Sequence, residues 1–259
     1  MKAQRMKLSL SNGIFSNLGL EKNFATIKEL GFENIEFNMK TVRTENDTAV
    51  YDAKRFLDAS GLKCLTLHSA TLHVKDEVEV YRAVYYGKIS LEFARRLSAP
   101  IMTVHSNISK KLPKETRRKC LAQVFGELNS FAKSLNIKLA LENLSYTSTG
   151  FGKNVDQLEE VLGIIDDGGM GITLDLCHAL ETKQTNNLMA KYGSRICNVH
   201  MANKAHKPFT QATPELTAFL TKLHDCGYTG PITLEIAHKT PIEQIAQTKA
   251  LFDKLLTQF

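Results

Sequence analysis

The chain has 259 residues, of which 43% are hydrophobic and 23% are charged, a composition that is typical of an ordinary soluble globular protein. No apolar stretch approaches the roughly 20 residues of a membrane-spanning helix, and the first six residues lack the apolar segment of a secretion signal. We therefore expect a cytoplasmic protein without a membrane partner. The net charge of +6 is compatible with an anionic substrate or a nucleic acid but requires neither.

Eight short apolar runs predict strands, because such runs are typical of strands buried on both faces of a parallel sheet. In chain order the predicted strands are Lys7–Phe15, Asn34–Met39, Lys63–His68, Ile101–His105, Lys138–Glu142, Gly171–Leu176, Ile196–His200 and Pro231–Ile236. Helical patterns separate them. The predicted helices are Leu20–Leu30, Asp52–Ser60, Val78–Leu97, Lys114–Leu135, Asp156–Ile165, Asn187–Tyr192, Thr213–Cys226 and Pro241–Gln258.

The alternation of strands and helices predicts a right-handed βα series with a parallel sheet. An open doubly wound sheet is the rival fold, but it usually carries a glycine-rich phosphate loop after its first strand. Residues Ser11–Ser16 contain no GxGxxG pattern. The chain length of 259 residues matches an eight-unit barrel, which typically has about 250 residues. We therefore predict a single (βα)8 TIM-barrel domain over residues 1–259.

Metal-binding side chains recur near the ends of the predicted strands, and consecutive ones on different strands lie 25 to 37 residues apart. One βα unit occupies about 30 residues or more. The residues are His68, His105, Glu142, Asp175, His178, His200 and Glu235. In a closed parallel barrel the carboxyl ends of all strands open on one face, which is where catalysis takes place. The pattern therefore predicts a metal-dependent enzyme.

Four of these residues form the predicted metal site: Glu142, Asp175, His200 and Glu235. Three carboxylates and one imidazole suit manganese, magnesium, cobalt or zinc. An acidic residue within an apolar strand is costly to bury unless it is paired, and a shared cation would pair all three. The alternative for each residue alone is a structural salt bridge at a strand end.

Five further residues are candidates for a second metal or for substrate binding: His68, His105, His178, Lys204 and His206. A histidine at a strand end is commonly structural, and Lys204 and His206 could equally belong to a solvated loop. Lys204 could hold a substrate oxyanion or phosphate as a point charge.

Weaker candidates lie elsewhere. Asn12, Glu36 and Asn38 occupy positions in the first two strands that could face the barrel interior. A basic cluster follows the fourth strand and could bind an anion, although a solvated helix surface is the favoured explanation. Its members are Lys110, Lys111, Lys114, Arg117, Arg118 and Lys119. The five cysteines form no CxxC pair, and we expect them to be buried free thiols.

With these residues in view, the chain resembles the xylose isomerase-like TIM-barrel superfamily over nearly its full length. The pieces that carry the resemblance are His68, Glu142-Asn143, Asp175-Leu176-Cys177-His178, His200 and Glu235. In the ketose 3-epimerases of this superfamily, the residues that match the predicted metal site bind one metal ion, and the two glutamates exchange the substrate proton.

The resemblance implies a metal-dependent sugar or sugar-phosphate isomerase or epimerase that acts through a metal-stabilised enediolate, with Glu142 and Glu235 as catalytic residues and one divalent ion of Mn, Co, Mg or Zn. Its partner would be a small-molecule sugar or sugar phosphate, and a homo-oligomer is compatible with this reading. A metal-dependent dehydratase of a small hydroxy acid, or a non-catalytic barrel, would also fit the fold.

The chain also resembles endonuclease IV, of AP endonuclease family 2, which acts on abasic DNA with three zinc ions. The segment Asp175-Leu176-Cys177-His178 is close to the DTCH signature of that enzyme. Two departures count against this alternative. After the seventh strand only His206 stands where the enzyme has an Asp-x-His pair, and Leu10-Ser11-Asn12-Gly13 replaces its GAHxS-type segment. This alternative implies two or three zinc ions and a DNA substrate.

Overall fold

The computed structural model describes residues 5–43, 48–165 and 169–259. Its eight parallel strands close into a barrel in chain order, and β8 pairs with β1 to complete the ring. The strands are β1 (Lys7–Ser11), β2 (Asn34–Asn38), β3 (Lys63–His68), β4 (Ile101–His105), β5 (Lys138–Glu142), β6 (Gly171–Asp175), β7 (Ile196–Met201) and β8 (Pro231–Leu234). The predicted (βα)8 barrel is confirmed.

Helices connect the strands around the outside of the barrel. They are α1 (Leu20–Glu29), α2 (Ala49–Ser60), α3 (Val80–Arg96), α4 (Lys114–Ser134), α5 (Val155–Ile165), α6 (Leu176–Glu181), α7 (Thr185–Tyr192), α8 (Pro214–Asp225) and α9 (Ile242–Leu256). Within the described residues, no helix has both the length and the apolar character that a membrane crossing requires. The predicted lack of a secretion signal concerns residues 1–6, of which 1–4 lie outside the described residues.

Five predicted strands end at a different residue in the structure: β1, β2, β6, β7 and β8. β2 ends one residue earlier, at Asn38, and β7 one residue later, at Met201. The other three differences fall beside candidate residues. β1 ends at Ser11, because Asn12–Phe15 turns into a 3₁₀ helix. β8 ends at Leu234, so Glu235 lies just past the strand. β6 ends at Asp175, whose side chain accepts a hydrogen bond from the backbone N–H of His178 and so caps the unpredicted helix α6. β1, β6 and β8 therefore end at or directly before a candidate residue: Asn12, Asp175 and Glu235.

The apolar core lies between the barrel and the helices. On β2, Ile35 and Phe37 are fully buried, and Phe37 packs against the rings of Phe24 on α1 and Phe93 on α3. Alternate residues of a strand point to opposite faces, so Glu36 faces the barrel interior.

The barrel interior contains a polar layer, whereas bulky apolar side chains usually fill such barrels. The buried members of this layer come from six strands: Glu36, Thr66, Thr103, Thr173, Asn198 and Thr233. The hydroxyl groups of Thr103 on β4 and Thr173 on β6 lie 2.8 Å apart, although these strands are not neighbours. The contact therefore crosses the inside of the barrel, directly beneath the strand ends.

All five cysteines are free thiols, as predicted, but they are not all buried. Cys226 is exposed and Cys197 is only partly buried, so the prediction of burial is wrong for these two. Cys226 follows directly after α8, at the end of the helix, where the chain turns at the surface. Burial raises the pKa of both Cys64 and Cys177 to about 12, which makes these thiols poor nucleophiles.

Candidate metal centre

The four residues of the predicted metal site meet at the carboxyl ends of four strands. Glu142 ends β5, Asp175 ends β6, His200 lies on β7 and Glu235 follows β8. One ligand atom from each lies within 4.8 Å of every other. Glu142, Asp175 and His200 are fully buried, and only Glu235 is partly accessible. Barrel closure therefore assembles a compact set of three carboxylates and one imidazole from residues 142 to 235.

The atoms that face one another in this cluster lack hydrogen-bond partners. Glu142 Oε1, Asp175 Oδ2 and His200 Nδ1 are buried and unbonded among the described residues. His200 Nδ1 lies 3.2 Å from Glu142 Oε1 and 3.1 Å from Glu235 Oε2. Buried polar atoms are rarely left unsatisfied. A divalent cation would satisfy these atoms together, so the donor set and its geometry fit a metal ion.

Asn143 fixes the position of Asp175. Its side-chain amide donates to the backbone oxygen of Asp175 (3.0 Å), and the backbone N–H of Asp175 donates to Asn143 Oδ1 (2.8 Å). The amide thus pairs with both backbone groups at the end of β6, and Asp175 then caps α6 through its own side chain. Sequence reasoning gave Asn143 no role beyond the resemblance, because its pairing depends on the register of β5 and β6.

A second group forms on the other oxygen of Glu142. Glu142 Oε2 lies 2.9 Å from His105 Nε2 and 3.4 Å from His68 Nε2, and these three residues could hold a cation. The rings of His68 and His105 meet edge to face with their centroids 4.8 Å apart. Glu142 therefore connects this pair of histidines to the four-residue cluster.

A third group contains Asp175, His178 and His206. The Nδ1 of His178 lies 2.9 Å from the backbone oxygen of Asn143, and the Nδ1 of His206 lies 2.8 Å from the backbone oxygen of Glu235. Since a carbonyl oxygen only accepts, each Nδ1 carries a proton. The two Nε2 atoms face each other at 3.3 Å, where they can share a proton, a cation or a substrate hydroxyl.

The charges of the cluster depend on one another. Burial alone would raise the pKa of both Glu142 and Glu235. The charges of His105 and His200 outweigh it at Glu142, and the charge of His200 outweighs it at Glu235, so both pKa values lie below the usual range. Burial lowers the pKa of His200, yet Glu36, Glu142 and Glu235 together keep it well above its usual value. Without a cation, His200 therefore carries positive charge beside these carboxylates.

Two further pKa shifts follow from the same crowding. Burial raises the pKa of Asp175, and the negative charges of Glu142 and Glu235 raise it further, against the effect of His178. Burial opposes protonation of His68, but the hydrogen bond and charge of Glu142 raise its pKa to about 9. Three carboxylates in one buried site repel each other, which is the electrostatic condition that favours a divalent cation.

Other predicted candidates lie outside the cluster. Lys204 is exposed in the 3₁₀ turn after β7, and its side chain makes no hydrogen bond to the described residues. Asn12 Oδ1 accepts the backbone N–H of Asn38, and Asn38 Oδ1 accepts that of Lys40, so both asparagines shape the chain after β2.

The basic cluster on and before α4 is partly neutralised. Arg117 and Arg118 lie 3.7 and 3.8 Å from Glu160 Oε1, and Arg117 stacks over the ring of Phe151. Lys110, Lys111, Lys114 and Lys119 are exposed. The arginines of this cluster thus connect α4 to α5 and to the loop that precedes α5.

Glu36 was a weak candidate from the sequence, yet it is fully buried at the centre of the site. Its Oε2 lies 2.8 Å from His200 Nε2, on the opposite side of the imidazole from the four-residue cluster. The signal was present in the sequence as a charged residue between the apolar residues Ile35 and Phe37. No sequence pattern indicated that its partner is His200, which lies 164 positions away.

The comparisons with known proteins agree with this architecture. The model of the xylose isomerase-like TIM-barrel family matches residues 24–255. The chain belongs to this family. A comparison with curated proteins found no match.

Solved structures of similar fold include sugar epimerases. The structure of L-ribulose 3-epimerase has a TM-score of 0.84 at 15% identity, with 98% of this chain and 95% of that chain covered. The 3-keto-D-glucoside 4-epimerase YcjR from E. coli has a TM-score of 0.79 at 18% identity, with 98% and 100% covered. The IolI protein with a bound zinc atom has a TM-score of 0.77 at 19% identity, with 98% and 99% covered. At these identities the similarity establishes the shared fold.

Replacing Asn143 with alanine tests its structural role. The substitution leaves the buried backbone N–H and C=O of Asp175 without partners, and each such group costs about 1–3 kcal/mol. We expect the Asn143→Ala variant to lose at least about 1–3 kcal/mol of unfolding free energy in a urea titration. The exposed Asn186 provides the control, and Asn186→Ala should change stability by less than about 0.5 kcal/mol. Equal stability of the two variants would contradict this role.

Proposed function

We propose that the chain is a metal-dependent isomerase or epimerase of a sugar or sugar phosphate, with one divalent cation held by Glu142, Asp175, His200 and Glu235. The observation that carries the proposal is the convergence of their four ligand atoms within 4.8 Å, three of them buried and without a hydrogen bond in the described part of the chain. Carboxylate and imidazole ligands suit Mn, Co, Mg or Zn.

When bound, the cation polarises a substrate carbonyl and so makes the neighbouring C–H more acidic. Glu142 and Glu235 then transfer the proton. Both have lowered pKa values and are therefore ionised at neutral pH, in the state that accepts a proton. They stand on β5 and after β8, three strands apart around the barrel. One glutamate takes the proton from the substrate carbon and the other returns it.

His178 and His206 orient substrate oxygens in this proposal. Their Nδ1 protons are held by backbone carbonyls, which leaves both Nε2 atoms directed into the space between the rings. A sugar hydroxyl there can both donate and accept a hydrogen bond. Lys204 would contact an anionic substrate only at the exposed edge of the site.

The comparisons support a sugar substrate. L-ribulose 3-epimerase and 3-keto-D-glucoside 4-epimerase share the fold over nearly the whole chain, and the printed names of both describe epimerisation of sugars. The zinc atom of the IolI structure supports a divalent metal on this fold.

Hydrogen exchange into the substrate tests this function. The metal-loaded protein, incubated in D2O with a panel of ketoses and ketose phosphates, should introduce deuterium next to the carbonyl, as measured by NMR. Glu142→Gln and Glu235→Gln should each lower the rate at least 100-fold, because a proton acceptor is lost. The matched control is Glu243→Gln, an exposed glutamate in the first turn of α9, and it should retain wild-type activity. Lack of exchange with every sugar would contradict the proposal.

A second candidate function is a zinc-dependent AP endonuclease that acts on abasic DNA. The observation that favours it is the presence of two further groups beside the main cluster, His68–His105–Glu142 and Asp175–His178–His206. Each offers ligand atoms for an additional ion.

The number of bound ions separates the two candidates. For protein purified without chelator or metal-affinity resin, we expect elemental analysis to find about one divalent ion per chain. Two or three zinc ions per chain, together with salt-sensitive cleavage of abasic DNA, would instead support the endonuclease.

A further inference from the structure

Glu36 occupies a position from which it can control the candidate metal ligand on β7. It lies on β2, is fully buried, and contacts His200 across the barrel interior with 2.8 Å between Oε2 and Nε2. His200 is equally buried. The contact links two residues that are 164 positions apart and come from strands that are not neighbours in the sheet.

The hydrogen-bonding chemistry of this contact assigns the two ring nitrogens of His200. An ionised carboxylate only accepts hydrogen bonds, so the Nε2 of His200 must carry the proton that it donates to Glu36. Nδ1 is then the nitrogen whose lone pair can bind a cation. Nδ1 faces Glu142 and Glu235 and has no hydrogen bond within the described residues.

The carboxylate of Glu36 is itself held in place. The Thr66 hydroxyl donates to the same oxygen at 2.9 Å, and the Asn198 side-chain amide donates to it at 3.3 Å. Asn198 is fixed in turn by Thr103, which accepts from it, and by Thr233, which donates to it. Residues on three strands besides β2 and β7, namely β3, β4 and β8, therefore hold the partner of His200 in place.

We infer that Glu36 is a positioning residue of the metal centre: its carboxylate fixes the proton of His200 at Nε2 and directs Nδ1 to the cation. Such a carboxylate orients the imidazole, increases its basicity and strengthens metal binding. The inference rests on the metal site in the proposed function, but it does not depend on which substrate is used.

Zn2+ alone serves as the probe, in competition with a chromophoric chelator. Glu36→Met removes the acceptor at similar size, and we expect Zn2+ affinity to fall 10- to 100-fold. Glu36→Gln keeps an acceptor oxygen towards His200 without the charge, so its affinity should lie between those of Glu36→Met and wild type. The matched control is Glu243→Met, the same change at an exposed glutamate in the first turn of α9, and its Zn2+ affinity should change less than threefold.

NMR of the Zn2+-loaded protein locates the proton directly and separates positioning from general destabilisation. In wild type the His200 proton should be on Nε2, and in Glu36→Met this signal should weaken or disappear. A wild-type proton on Nδ1, affinities of both Glu36 variants within threefold of wild type, or an equal loss in Glu243→Met would overturn the inference. Normal Zn2+ binding with the expected variant effects, but without hydrogen exchange into any sugar, would overturn only the isomerase proposal.

Discussion

Burial of several carboxylates at one end of the barrel is the constraint on which the rest of the site depends. A charge removed from water is costly unless it is paired, and Glu36, Glu142 and Asp175 are all fully inaccessible. Histidines meet this requirement at close range: His200 lies between Glu36 on one side and Glu142 on the other. Three buried atoms of the cluster, Glu142 Oε1, Asp175 Oδ2 and His200 Nδ1, still lack a hydrogen-bond partner among the described residues. A divalent cation matches these atoms in charge and in ligand type.

The barrel makes this concentration of charge compatible with folding. The layer between the strands and the helices is apolar, as at Phe37, while the inside of the barrel beneath the site is built from small hydroxyl and amide side chains. These groups donate hydrogen bonds to the buried carboxylate of Glu36 from fixed positions on rigid strands. A polar network in a low-dielectric interior is most stable when its members are satisfied. Among the described residues, the second oxygen of Glu36, Oε1, has no hydrogen-bond partner in this network.

The sequence was sufficient to predict the barrel and the residues that cluster at the carboxyl ends of its strands, but not how those residues are held. Strands β3, β4 and β5 were predicted with their observed bounds, since each is an apolar run that ends in a histidine or glutamate. Helix α6 was missed because its start depends on a side-chain cap by Asp175 rather than on a hydrophobic period. The roles of Asn143 and Glu36 were not predictable for a different reason. Each role depends on which residue of another strand lies opposite in the folded barrel. The register of the strands cannot be read from a single sequence.

Anomalous X-ray diffraction from crystals soaked in Mn2+ or Zn2+ tests the central claim most directly. The account predicts one anomalous peak about 2.0–2.2 Å from Glu142 Oε1, Asp175 Oδ2, His200 Nδ1 and Glu235 Oε2. The account would be contradicted by a cluster that remains empty at saturating metal, or by an ion bound through the Nε2 of His200 with Glu36 displaced.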